Sequence, residues 1–223
     1  MNHKTRFIYI FITVFCLAGC GFKGRNAADK SSIPVTDTLK TELSPRYAEG
    51  FQVIVQPNGV KLLSIAEPNN AHAVPQLFAL VPKGTKAEVP QGYTVIPTPV
   101  DRVICMTTPQ LAGFTGLNAY DKVVGTSNTR RMQNKEWLAR LNDGRVKKIG
   151  MEGHFDTEII IAAQPEIIFV SLNRRGGYEV MKELNIPLIP HWAFKETSPL
   201  GLSEWIKVVG MFIGKEEEAC RLF

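Results

Sequence analysis

The 223 residues carry 26 Lys and Arg against 21 Asp and Glu, a net charge of +5, and they are 44% hydrophobic and 21% charged. That composition excludes a disordered chain, and the length fits one large domain or two small ones. Setting aside Lys4 and Arg6 of the leading segment lowers the charge from +5 to +3. No basic run is interleaved with aromatics, so nucleic acid is not an expected partner.

MNHKTR is a short basic start, and FIYIFITVFCLA is an apolar run too short to span a bilayer comfortably. Residues 1–19 read as a secretory signal. Leu17-Ala18-Gly19-Cys20 resembles the bacterial lipobox, which implies a lipidated Cys20 as the new N-terminus. The lipid would hold the protein at a membrane surface, periplasmic or otherwise extracytoplasmic. A plain signal peptide, or an anchor helix with an incidental cysteine, is the alternative. Nothing in these residues selects an inner or an outer membrane. Two cysteines then remain, Cys105 and Cys220. An oxidising compartment permits a disulfide between them, but no sequence feature brings them together. The expectation is two unpaired thiols, with Cys105 packing as a small hydrophobe.

Residues 20–45 are polar and small and read as a tether. FQVIVQ and VKLLSIA flank Pro57-Asn58-Gly59, a strong hairpin signal. QLFALVP reads as a third strand, and the Pro- and Gly-rich stretch that follows as a loop with a short edge strand. Residues 46–99 are thus a β-rich extension. From 100 to 198 strands and helices alternate. DRVICM, DKVVGTSN, PEIIFVSLN and IPLIPHW read as strands; PQLAGFTGLN, NKEWLARLN, DTEIIIAAQ and GYEVMKELN read as helices, the third capped by Asp156. SPLGLSEWIKVVGMFIG reads as one longer helix. The alternation, with strands apolar on both faces, predicts an α/β fold: a Rossmann-like lobe with a parallel sheet and helices on both faces.

In open α/β sheets ligands bind beyond the carboxyl ends of the strands. Asn173-Arg174-Arg175-Gly176-Gly177 leaves the carboxyl end of PEIIFVSL. Its two guanidiniums suit bidentate contact with carboxylate or phosphate. A solvated surface loop with glycines for turning is the equal alternative.

From Asp101 onward the chain resembles the substrate-binding proteins of ATP-driven importers for iron–siderophore, haem and vitamin B12. The marks lie in order over about the last 120 residues: DRVICM, a leucine-rich helix, LNAYDKVVGTS, VKKIGMEGHFDTEIIIAAQPEIIFVS, NIPLIP and a helical segment closing in GKEEEA. The resemblance implies two α/β lobes joined by a long helix, with the ligand between them. It makes residues 100–198 the first ligand-binding lobe and residues 199–223 the start of the connecting helix, with the second lobe absent, through either fragmentation or truncation. The β-rich extension is an addition to the family's minimal pattern.

The same resemblance supplies site expectations. Glu158, in DTE, stands where the family's glutamate pairs with permease arginines; as a first-turn carboxylate it also suits the helix dipole. Strand-end loops would line the cleft through Thr107, Thr108, Ser127, Asn128, Arg130, His154, Phe155, Asn173, Arg174, Arg175, Trp192, Phe194 and Lys195. Cations with aromatics suit an anionic, partly apolar chelate. His154 lies where haem-binding relatives place an axial ligand; a polar surface residue is its ordinary alternative. Zinc or manganese would need several His and carboxylates converging, and only His154 and His191 lie near the expected cleft. No cofactor is expected. The chain lacks a G-x-S-x-G elbow, a phosphate-cradling glycine loop and H-E-x-x-H, so no enzymatic activity is expected. The expected partners are an iron chelate, cobalamin or haem as ligand, permease subunits, and a membrane through the lipid. The expected state is a monomer. A truncated interaction lipoprotein without transport activity is the rival class.

Overall fold

The computed structural model describes residues 42–127, 129–151, 153–171 and 178–223. The signal segment, Cys20, most of the tether, Asn128, Asn173, Arg174 and Arg175 lie outside the described residues. The β-rich region forms a four-stranded sheet in the order β1 (Phe51–Val55), β2 (Lys61–Ile65), β3 (Gln76–Pro82), β4 (Thr94–Thr98). The first two strands pair antiparallel with Phe51 opposite Ile65 and Val53 opposite Leu63. Gly59 supplies the positive φ of +82° that their turn requires. β3 continues antiparallel, and β4 runs parallel to β3 at the edge, where Pro97 is tolerated. One face of this sheet sends Phe51, Val53, Leu63, Ile65, Phe78, Leu80 and Ile96 into the main core. Val60, Ala79 and Val81 pack instead under Ala87, Val89 and Tyr93 of the following loop.

The second sheet is wholly parallel. β5 (Val103–Cys105), β6 (Val123–Thr126), β7 (Lys147–Lys148), β10 (Ile167–Val170) and β11 (Leu188–Pro190) stand in the order β11-β10-β5-β6-β7. A two-residue ribbon, β8 (Gly150–Met151) with β9 (His154–Phe155), lies between β7 and the next helix. Helices α1 (Thr108–Gly116), α2 (Lys135–Asn142), α3 (Thr157–Ala163) and α4 (Tyr178–Lys182) connect the strands. Alternation along the central strands divides them between two cores. Val103, Cys105, Ile167 and Phe169 join Leu111, Phe114 and Trp137 of α1 and α2. Ile104, Ile168 and Val170 join Ile160 and Ala163 of α3 and Met181 of α4. The lobe is therefore a parallel α/β sheet flanked by helices on both faces. Asp156 caps α3 by accepting the Ile159 N–H at 3.0 Å. Cys105, buried in the sheet, and half-buried Cys220 are unpaired, and burial pushes the Cys105 thiol well up.

The segment read as one longer helix is two, and a third follows it. α5 (Pro199–Glu204) starts on the Ser198 hydroxyl, which accepts the Gly201 N–H at 2.9 Å. α6 (Ile206–Ile213) follows a tightened turn at Trp205 (ψ −11°) and stops at Gly214 in the left-handed region, φ +71°. α7 (Glu216–Leu222) then folds back on α6. The close approach requires Gly210, where a Cβ would stand 2.6 Å from that of Ala219. Lys61 at the start of β2 pairs with Glu216 at 2.7 Å and ties α7 to the first sheet.

Two carboxylates, Glu196 just before α5 and Glu204 at its end, hold the entry to β1. Glu204 accepts the N–H groups of Arg46, Tyr47 and Ala48 at 2.8–3.0 Å and pairs with Lys207 at 2.8 Å. Glu196 accepts the N–H groups of Glu49 and Gly50 and the Trp205 indole N–H. Five successive backbone donors are thus satisfied by side chains about 150 positions away. At the amino ends of β5 and β10, Lys83 pairs with both Asp101 and Glu166, and Lys122 pairs with Asp101.

Candidate functional site at the carboxyl edge of the parallel sheet

The strand order places the topological switch point between β5 and β10, since the connections leave β5 for one side of the sheet and β10 for the other. Met106 and Thr107 emerge from β5, Ser127 from β6, Ser171 from β10 and His191 from β11. Gln110 spans the switch point. Its Oε1 accepts the Thr107 N–H at 3.1 Å, and its Nε2 donates to Ser171 Oγ at 3.2 Å. Ser127 Oγ donates to the Met106 carbonyl, and Tyr178 Oη donates to the Ser171 carbonyl at 2.8 Å. Gln110, Ser127 and Ser171 are buried, so this layer of hydroxyls and amide is fixed by packing as well as by hydrogen bonds. Behind it, the fully buried Thr126 Oγ1 has no hydrogen-bond partner among the described residues.

The structure distributes the expected site residues along this edge. Half-buried Thr107 caps α1, and Thr108 begins it. Ser127 is buried, whereas Arg130 is exposed beyond β6. His154 is exposed on the β8–β9 ribbon, not on an irregular loop. Gly150 (φ +92°) makes that ribbon reachable, because a Cβ there would fall 2.4 Å from the His154 carbonyl. Phe155 packs on Tyr178, ring centroids 5.7 Å apart. Trp192 is buried, with Phe194 at 5.9 Å and the Lys195 ammonium 5.8 Å from its ring. Lys195 is also paired with Glu67 at 2.5 Å. Thr107 and Ser127 are joined through Met106, while Trp192 follows the edge strand β11 and His154 lies on the separate β8–β9 ribbon after the opposite edge strand β7. Glu158 is exposed in the first turn of α3. Among the described residues no group of three His, Cys, Asp or Glu side chains could hold a metal ion.

Sequence reasoning passed over Gln110 and the burial of His191. Gln110 carried a signal: Thr107-x-x-Gln110 is a capping-box pattern. His191 carried none, because its burial depends on Phe169, 5.7 Å away, and Trp205, 4.8 Å away. Loss of solvent pushes its imidazole from 6.5 to about 4, against a smaller opposing contribution from its own backbone. The folded protein thus binds this proton less readily than the unfolded chain. Stability is fully present above pH 6.5 and is lost as pH falls from 6.5 towards 4. The loss is expected to reach about 3 kcal/mol. Urea midpoints at pH 7 and pH 4.5, compared with those of His191→Phe, check it: the variant should lose much less over the same interval.

Beside this edge lies a cavity of about 330 Å³ between α1, the residues after β11, and α5–α6. Pro109, Ala112, His191, Phe194, Trp205 and Ile206 are among its walls. No helix of the described residues is long and apolar enough to cross a membrane.

No protein-family model matches the chain. Two uncharacterized lipoproteins of Methanocaldococcus jannaschii are similar to it: one is 28% identical over 86% of this chain and 51% of its own length, the other 24% over 90% and 53%. The chain spans about half the length of the curated relatives it matches. Among solved structures it resembles the petrobactin-binding protein YclQ of Bacillus subtilis, 14% identical, with a TM-score of 0.46 over 71% of this chain and 47% of that one.

Proposed function

We propose that this chain belongs to a lipid-anchored, extracytoplasmic solute-binding protein that captures an iron chelate and passes it to the permease of an ATP-driven importer. The observation that carries this reading is the parallel sheet with its switch point between β5 and β10, whose carboxyl edge presents a preorganised polar layer. Arg174 and Arg175 follow β10 in sequence. An anionic chelate would gain their charge-assisted hydrogen bonds. The ordered motifs from DRVICM to GKEEEA support the same reading. Lipidation of Cys20 agrees with the curated relatives' description as lipoproteins. The protein performs no chemistry in this account. It binds, and Glu158, exposed on α3, docks against permease arginines. Haem and cobalamin fit the same role, with His154 as a ligand available to haem iron.

Calorimetric titration of the protein with ferric tris-catecholate, a ferric hydroxamate, haemin and cobalamin tests the reading. Saturable binding of one of them is expected, with an iron chelate strongest. Replacing Arg174 and Arg175 together by alanine should weaken the chelate at least tenfold, since each charge-assisted contact contributes about 1.5–3 kcal/mol. Glu158→Ala should leave chelate affinity unchanged while lowering transport by the reconstituted importer. No saturable binding of any of the four would overturn the proposal and favour an interaction lipoprotein.

A further inference from the structure

We infer that the cavity between α1 and α5–α6 is a ring-binding subsite that takes an uncharged aromatic group of the solute; its assignment to the imported solute rests on the solute-binding reading above. The cavity adjoins the carboxyl edge, since His191 leads directly from β11 into its wall and Pro109 stands in the first turn of α1, which β5 leads into. Its volume of about 330 Å³ exceeds the roughly 150 Å³ that suffices for benzene in an apolar cavity. It lies within the range of small-molecule sites, which are mostly apolar with a few convergent polar groups.

The walls define the class of ligand. Among the described residues no Asp, Glu, Lys or Arg lines the cavity. Its polar side chains are Ser203 and His191, and burial keeps the imidazole uncharged at neutral pH. The Lys195 ammonium, which follows Phe194 in the chain, is engaged by Glu67, and that of Lys207, which follows Ile206, by Glu204. A charged group would therefore lose its water here without a partner. Three rings contribute: His191 and Trp205, tilted 49° to each other, and Phe194, which is 43% exposed. Tilted and edge-on ring contacts favour a planar aromatic guest over an aliphatic arm. Gly113 permits the close approach of α1 to α6 at the cavity floor, because a Cβ there would meet Val209 at 2.9 Å.

The test fills the cavity from an exposed position. Ala112→Trp places an indole in it from the surface of α1; Ser203→Phe does so from α5 should the first variant fold poorly by circular dichroism. Each protein is titrated with 2-naphthol, an uncharged bicyclic probe, and with ferric tris(benzohydroxamate), a chelate whose phenyl rings are uncharged; wild type is also titrated with the four solutes named above. Wild type should bind both, and filling should weaken both at least tenfold. Chelate binding that survives filling unchanged would overturn the inference while leaving the solute-binding reading intact. Naphthol binding lost on filling, with no saturable binding of any of the four solutes even in wild type, would support the ring site and overturn the solute-binding reading. Absence of saturable naphthol binding to wild type would overturn the ring site itself.

Discussion

Replacing Glu204 by alanine is expected to lower the unfolding free energy by about 3–5 kcal/mol, read as a drop in urea midpoint at unchanged slope. Glu204 is 0% exposed and Lys207 2% exposed, so neither is screened by solvent. Removing the carboxylate strands the Lys207 ammonium and frees the N–H groups of Arg46, Tyr47 and Ala48 together. The charge state follows from the same contacts. Desolvation alone would raise the Glu204 pKa, but the Lys207 ammonium and the three N–H donors outweigh it and hold the carboxyl below its ordinary 4.5. Its contribution is therefore present above pH 4.5 and is lost as pH falls through the lower folded value. Glu204→Gln should flatten that part of the acid limb. The His191 loss lies at higher pH, from 6.5 down to about 4, so the two variants should alter different segments of the stability profile.

Trp205→Ala should cost a similar amount, about 3–5 kcal/mol, for a different reason. The indole is 1% exposed and joins the two sheets. Its ring lies 5.4 Å from Phe51 of β1 and 4.8 Å from His191 after β11, and its N–H reaches Glu196 at 2.8 Å. Truncation leaves a large void and removes one of the donors that hold Glu196. Trp205→Phe keeps a ring and loses the donor, so it should cost nearer to 1 kcal/mol. A Trp205→Ala cost no larger than that of Trp205→Phe would show that this ring does not hold the sheets together.

The same two residues show where sequence stops being informative. The strands and most helices were legible because apolar periodicity and local caps dictate them: Phe51 to Ile65 around Gly59, or Asp156 before Ile159. The carboxyl-edge placement of Thr107, Thr108 and Ser127 was legible for the same reason, since a parallel sheet directs all its strand ends one way. The break at Trp205 was not. SPLGLSEWIKVVGMFIG has good helical periodicity throughout, and the turn is held by contacts to residues 46–50, which no local pattern encodes. Gly214 was readable as a stop; the burial of the Glu204–Lys207 pair was not, because it depends on those same distant contacts. Distant packing likewise decided that Trp192 and His191 turn inward and that Lys195 is engaged by Glu67. The β8–β9 ribbon is too short to carry a strand signal.

The central claim is that the carboxyl edge of the parallel sheet receives the solute. Amide hydrogen exchange, compared with and without saturating ferric tris-catecholate, tests it most directly. Slowed exchange is predicted at residues 106–108, 110, 127 and 191–195, with residues 101–102 and 166 at the opposite ends of the strands unchanged. Protection confined to those opposite ends or to the β1–β4 sheet, or no protection anywhere, would contradict it.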